Sequence, residues 1–290
     1  FLSMNPFSSR CCQHNHAQGW PYFTEHLVLA TPDNGVATAI YAACKATVKV
    51  GDGKEITLHE ETNYPFEEAI AFTVSTDEKV AFPFYLRIPS WTQKAEVRVN
   101  GKKVSAAPVA GKYLCINREW ANGDRVELTL PMSLSMRTWQ VNKNSVSVDY
   151  GPLTLSLKIA EKYVEKDSRE TAIGDSKWQK GADSKKWPTT EIYPDSPWNY
   201  SLVLDKKEPL KNFKVIRKSW PADNYPFTAT SVPLEVKAIG RPVPEWKIDE
   251  TGLCGVLPEE DAVKGDKEEI TLIPMGAARL RISAFPNTKE

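Results

Sequence analysis

From Val36 to the end of the chain, apolar residues recur with a period of two in short runs, and no helical run separates one from the next. No other feature constrains the fold as much. Val48 and Val50 alternate with Thr47 and Lys49. Phe82, Phe84, Leu86 and Ile88 alternate with Pro83, Tyr85 and Arg87, and Val126, Leu128 and Leu130 with Arg125, Glu127 and Thr129. Later runs centre on Leu153 to Ile159, Leu202 and Leu204, Leu234 and Val236, Ile270 and Leu272, and Leu280 and Ile282. Alternation sends every second side chain to one face of a sheet, so each run reads as a half-buried strand. Parallel neighbours would require crossover helices, and none intervenes. The chain is therefore predicted to be mainly β, with antiparallel strands in two consecutive β-sandwich (jelly-roll-like) domains. Gly51-Asp52-Gly53 and Asn100-Gly101 supply tight hairpin turns, and Pro83 predicts an edge position or a bulge.

Polar residues interrupt the strand pattern at Gln140 to Asn144, which predicts a first β-sandwich domain over 32–142 and a second over 143–290. Glu161 to Lys186 is polar and weakly periodic, as expected of a long surface insertion. Ahead of the strands, Trp20, Phe23, Leu27 and Ala30 recur at helical spacing, and Pro21 suits a first helical position. A helix is predicted over Pro21 to Ala30, stopped by Thr31-Pro32 and followed by a turn at Asp33-Asn34-Gly35.

Lys plus Arg and Asp plus Glu number 37 each, so no field gathers nucleic acid. No segment approaches the ~20 apolar residues of a membrane span, and the first residues are not a signal peptide. The start at Phe1, in mid-pattern and without Met, predicts that a longer polypeptide continues upstream. Five cysteines, an odd and scattered set, make no disulfide framework and leave the compartment open.

Reactive side chains are concentrated in Cys11-Cys12-Gln13-His14-Asn15-His16. Neighbouring Cα atoms lie about 3.8 Å apart, short of the roughly 4.4 Å that disulfide geometry needs, so free or metal-bound thiols are expected. Zinc takes both cysteine and histidine, but this spacing is not a complete zinc motif, and part of any site must come from elsewhere. His14 and His16, two apart, share a face if extended; they are candidate ligands, substrate hydrogen-bond donors or helix-start residues. Cys44, Cys115 and Cys254 read as buried apolar side chains, and Glu60-Glu61 and Glu67-Glu68 as solvated. No nucleophile elbow, phosphate loop or dinucleotide fingerprint is present. Between Tyr193 and Tyr200, Trp198 could stack on a sugar or pack at an interface. Asn199-Tyr200-Ser201 matches a glycosylation acceptor.

The cysteine-histidine run, followed by Gly19-Trp20-Pro21-Tyr22 and Leu29-Ala30-Thr31-Pro32-Asp33-Asn34-Gly35, resembles the end of the catalytic domain in the β-L-arabinofuranosidase-like glycoside hydrolases. The likeness continues through Val50-Gly51-Asp52-Gly53, Leu86-Arg87-Ile88-Pro89-Ser90-Trp91, Val99-Asn100-Gly101, Tyr150-Gly151-Pro152, the Tyr193 to Tyr200 run and Leu272-Ile273-Pro274-Met275-Gly276. The resemblance implies an upstream (α/α)6 catalytic barrel whose last segment is residues 1–31. It implies zinc in the parent enzyme, with Cys11 as zinc-bound thiolate nucleophile of a retaining reaction and Cys12 as a zinc ligand. The remaining ligands, a glutamate and a further cysteine, and the acid/base glutamate would lie upstream. The implied partner is a glycan containing L-arabinofuranose or a related sugar, with His14, His16 and Trp198 as candidate substrate contacts. Two ligands cannot hold zinc as four do, so the chain alone is expected to be inactive and to bind zinc weakly or not at all. Two other readings are a non-catalytic carbohydrate-binding module and a wholly structural β protein.

Overall fold

A computed structural model of the chain describes residues 11–166, 185, 189–250, 252–259 and 265–289. Among the described residues there are twenty strands, one α-helix and one 3₁₀ turn at Met275–Ala277. Two compact units divide the chain, one from His14 to Ser133 and one built on Leu134–Glu290.

The helix α1 spans Cys11–Glu25, not Pro21 to Ala30, and keeps Pro21 inside it. It ends where the His26 ring meets the Tyr22 carbonyl (2.6 Å) and the Thr24 hydroxyl donates to the Trp20 carbonyl (2.9 Å). Leu27 and Ala30 therefore lie beyond the helix. Val28–Ala30 is a strand, and Thr31 to Gly35 closes a hairpin: the Thr31 hydroxyl donates to Asp33 (2.5 Å) and accepts the Gly35 N–H (3.0 Å). The turn residues were legible, but they join two strands instead of ending a helix. Gly35 is required by packing, because a Cβ there would lie 2.2 Å from the Pro83 carbonyl oxygen.

The first unit contains β1 (Val28–Ala30), β2 (Val36–Thr38), β3 (Cys44–Val50), β4 (Lys54–Thr62), β5 (Ala69–Ser75), β6 (Val80–Arg87), β7 (Glu96–Val99), β8 (Lys102–Lys103), β9 (Tyr113–Trp120) and β10 (Arg125–Thr129). They form two sheets, in the orders β1-β2-β6-β9 and β3-β4-β5-β10-β7-β8. The alternating residues of both meet in one core, with Phe82, Phe84 and Leu86 from one sheet against Ile70, Phe72, Val126 and Leu128 from the other. Phe72 and Phe84 touch edge to face across the interface at 5.3 Å. Trp120, fully buried, satisfies its indole N–H on the Phe82 carbonyl at 3.0 Å, as a buried tryptophan must. β2 pairs with β6 in parallel, which the antiparallel expectation missed, but only from Phe84 onward. At Pro83 the strand is still an edge on that side, so the missing N–H costs no ladder bond. Asn100 and Gly101, at φ 50° and 76°, make the expected tight turn between β7 and β8.

The second unit contains β11 (Leu134–Trp139), β12 (Ser145–Tyr150), β13 (Leu153–Leu157), β14 (Glu161–Lys166), β15 (Thr189–Pro194), β16 (Tyr200–Leu204), β17 (Lys214–Arg217), β18 (Leu234–Pro242), β19 (Glu268–Pro274) and β20 (Asn287–Lys289). Its main sheet runs β11-β12-β13-β19-β18-β16-β20, with β17 on β18, while β14 and β15 pair separately. Phe285 exchanges both backbone bonds with Val146 of β12 (2.8 and 2.9 Å), and β20 then pairs in parallel with β16. Three strands separate β12 from β16 in the sheet, so this final segment draws its two sides together around the buried Phe285. The result is sandwich-like: β12 and β16 are buried on both faces.

The polar stretch Gln140 to Asn144 is the turn of the β11–β12 hairpin, with Lys143 and Asn144 at φ 52° and 53°. Its polarity marks a tight turn, and the two units divide earlier, between Ser133 and Leu134. The polar stretch from Glu161 opens as β14, and 167–184 lies outside the described residues.

Candidate functional site

Cys11, Cys12, His14 and His16 all fall on α1, whose backbone alone is described at these positions. An extended segment would have put positions 14 and 16 on one face. In a helix, two residues apart is roughly 200° of rotation, whereas positions three and four apart are neighbours. The register therefore groups position 11 with 14 and position 12 with 16, so that each cysteine shares a face with one histidine.

The remaining cysteines are not uniformly buried. Cys115 and Cys254 are exposed, while Cys44 is half-buried on β3 beside Glu60 of β4. Glu60 corrects the expectation of a solvated pair: it is 1% exposed, and its Oε1 has no hydrogen-bond partner. The Cys44 thiol lies 3.9 Å from its other oxygen. Burial drives the Glu60 carboxyl up to about 8, against a smaller opposing effect of the Ala42 N–H, and it drives the Cys44 thiol up to about 11. Both groups are thus neutral at pH 7. The signal was in the sequence: Glu60 shares strand parity with Ile56 and Leu58, which face the core. Being enclosed, it can meet no substrate.

A shallow groove of about 550 Å³ lies on the outer face of the larger sheet of the first unit, lined in part by Glu61, Arg98, Arg125 and Glu127. Glu61 and Glu127 stand opposite Ala71 from its two sides, which puts their backbones about 10 Å apart. A glycosidase pair needs one carboxyl in an apolar setting that favours its proton. Here both are open to solvent and both are bridged to Arg125, at 3.3 and 3.6 Å, so neither carboxyl has that apolar setting.

Trp198 packs edge to face on Trp246 at 5.2 Å against the core of the second unit. Its neighbour Asn199 donates to the carbonyls of Val243 (2.9 Å) and Trp246 (3.1 Å). That amide ties the start of β16 to the end of β18, a structural task that the glycosylation pattern does not reveal. Among the described residues, no three His, Cys, Asp or Glu side chains converge as a metal site requires. Cys11 and Cys12 would bring two thiolates to such a site, half of the usual four ligands. No helix of the described residues is long and apolar enough to cross a membrane.

Residues 35–132 match the family model of the β-L-arabinofuranosidase, GH127 middle domain, which coincides with the first sandwich. The fold extends further. Ara127N, a GH127 β-L-arabinofuranosidase from Geobacillus stearothermophilus T6, matches 97% of this chain at 21% identity with a TM-score of 0.63. A GH127 β-arabinofuranosidase, BT3674, matches 99% at 22% identity with a TM-score of 0.63, and a further glycoside hydrolase matches 97% at 22% identity with a TM-score of 0.62. The chain spans 38 to 41% of the length of these proteins. A comparison of the sequence with curated proteins gives no match.

Proposed function

We propose that this chain is the C-terminal region of a retaining glycoside hydrolase acting on β-L-arabinofuranosides or closely related sugars, with Cys11 as its nucleophile. The observation that carries the reading is the match of residues 35–132 to the GH127 middle domain, in a chain that sets a Cys-Cys-x-His-x-His run on the helix just ahead of it. In this reading the helix closes a catalytic barrel supplied by the rest of the polypeptide, and the two β units support it.

The chemistry assigned to Cys11 is displacement at the anomeric carbon. Its sulfur forms the new C–S bond as the glycosidic C–O bond breaks, and the departing oxygen takes a proton from a carboxylic acid elsewhere in the polypeptide. Water, giving up a proton to the carboxylate left by the first step, then forms a C–O bond at the anomeric carbon, releases the thiolate and restores the configuration. An ordinary thiol near pKa 8.5 is only a few per cent ionised at neutral pH. Zinc held by Cys11 and Cys12, with ligands from outside this chain, would keep both sulfurs deprotonated when bound. His14, on the face of position 11, is assigned to the sugar, and His16 to the opposite side of the pair.

The test is Cys11→Ser in the complete polypeptide. Hydrolysis of an aryl β-L-arabinofuranoside should fall by a factor of roughly 10³ or more in kcat, with the fold unchanged by circular dichroism. Retention of most of the wild-type kcat would remove Cys11 from the reaction.

A further inference from the structure

The helix α1 carries more on the face of position 11 than the proposed function uses. At about 100° per residue, positions 11, 15, 18 and 22 fall within an arc of roughly 60°. Asn15 and Gln18 are exposed, and Tyr22 is 65% exposed, so hydrogen-bonding side chains line this stripe along its described length. Positions 20 and 23 lie about 120–180° round the helix from position 11, and there Trp20 and Phe23 meet edge to face at 6.2 Å. The helix thus separates a polar face, which includes the position assigned as nucleophile, from an aromatic one.

Asn15 is the member of the stripe nearest to position 11. In such a pair, one turn apart, the Cβ atoms lie about 5–6 Å from each other. Asparagine is a poor choice for a helical interior, because its side chain competes for backbone groups that the helix already uses. Thr24 on the same helix spends its hydroxyl on the Trp20 carbonyl. Among the described residues, no bond of that kind occupies the Asn15 amide. The amide can therefore both donate and accept, and it carries no charge.

In a furanose attacked at its anomeric carbon by Cys11, the ring hydroxyl closest to the reacting carbon is the one on C2. An amide one helical turn from the attacking residue is within reach of it. That hydroxyl donates and accepts as the amide does, and hydrogen bonds to it strengthen in the transition state of glycoside cleavage. We propose that Asn15 is a substrate-binding residue of this reaction, its amide holding the C2 hydroxyl of the sugar attacked by Cys11. The proposal rests on the function proposed above.

The test pairs Asn15→Ala, in the complete polypeptide, with the 2-deoxy form of an aryl β-L-arabinofuranoside. On the parent substrate, kcat/KM should fall about tenfold or more in the variant, whereas on the 2-deoxy substrate variant and wild type should agree within about twofold. Comparing the two proteins on each substrate cancels the different intrinsic reactivity of the two sugars. Alanine suits an exposed helical position better than asparagine does, so the melting temperature should stay the same or rise. The proposal is overturned if the variant loses nothing on the parent substrate, or if it loses as much on the 2-deoxy substrate as on the parent. An equal loss on both with a lowered melting temperature would make Asn15 a packing residue. Cys11→Ser separates the two ideas: if it is inactive, either of those results removes Asn15 alone, whereas wild-type activity in Cys11→Ser removes both.

Discussion

Replacing Glu60 by Gln should flatten the pH dependence of stability in the first unit. The carboxyl has an ordinary value of 4.5 and is driven to about 8 by burial in the sandwich core. A raised carboxyl value means that the folded state holds a proton which the unfolded chain has already released. Its contribution is therefore fully present below about 4.5 and is lost as the pH rises through about 8. The limiting effect is on the order of 5 kcal/mol, since each pH unit between the two values is worth about 1.4 kcal/mol. Between pH 6 and pH 8, with both protonation equilibria included, the wild type should lose about 2 kcal/mol, on the order of 5–10 °C in melting temperature for a unit of this size. Gln keeps the shape and cannot ionise. Scanning calorimetry of both proteins at intervals from pH 5 to pH 8.5 provides the comparison, read as wild type minus variant to cancel all other titrations. The difference should fall steadily with pH. Parallel melting curves across pH 6 to 8 would refute the reasoning and show that Glu60 ionises as a solvated residue does.

Glu235 should behave with the opposite sign. Burial raises its carboxyl, but hydrogen bonds from Lys158 (2.7 Å) and Lys218 (2.5 Å) outweigh this and hold it below the ordinary value. Its contribution is present above about 4.5 and is lost as the pH falls through the lower folded value. In urea titrations, Glu235→Gln should cost more at pH 7 than at pH 3.5; equal costs would contradict the pairing. Trp120→Ala, which empties the centre of the first core and leaves the Phe82 carbonyl unbonded, should cost about 3–5 kcal/mol by urea unfolding. A cost below about 1 kcal/mol would mean that the ring is not packed as described.

The strands were legible because alternation reports burial directly: Phe82, Phe84 and Leu86 face the core as their spacing predicted. The pairing of β2 with β6, and of β16 with β20, was not, since parallel contacts between distant segments leave no local mark. Nor was the division at Leu134, because a tight turn and a linker are polar alike. Glu60 was missed by weighing its charge above its parity. Trp20 and Phe23 both lie on α1, although the predicted helix begins at Pro21, and Leu27 and Ala30 continue their spacing by coincidence, into a turn and a strand. At the candidate site, the cysteine pair was conspicuous from residue type alone.

The most direct test of the central claim is peptide mass spectrometry of the complete polypeptide, quenched in acid during turnover of a slow aryl β-L-arabinofuranoside. A pentosyl group attached through sulfur to Cys11, and absent from the Cys11→Ser variant, is the expected result. Turnover with no sugar on Cys11, or with the sugar on a carboxylate, would contradict the assignment of this thiol as the nucleophile.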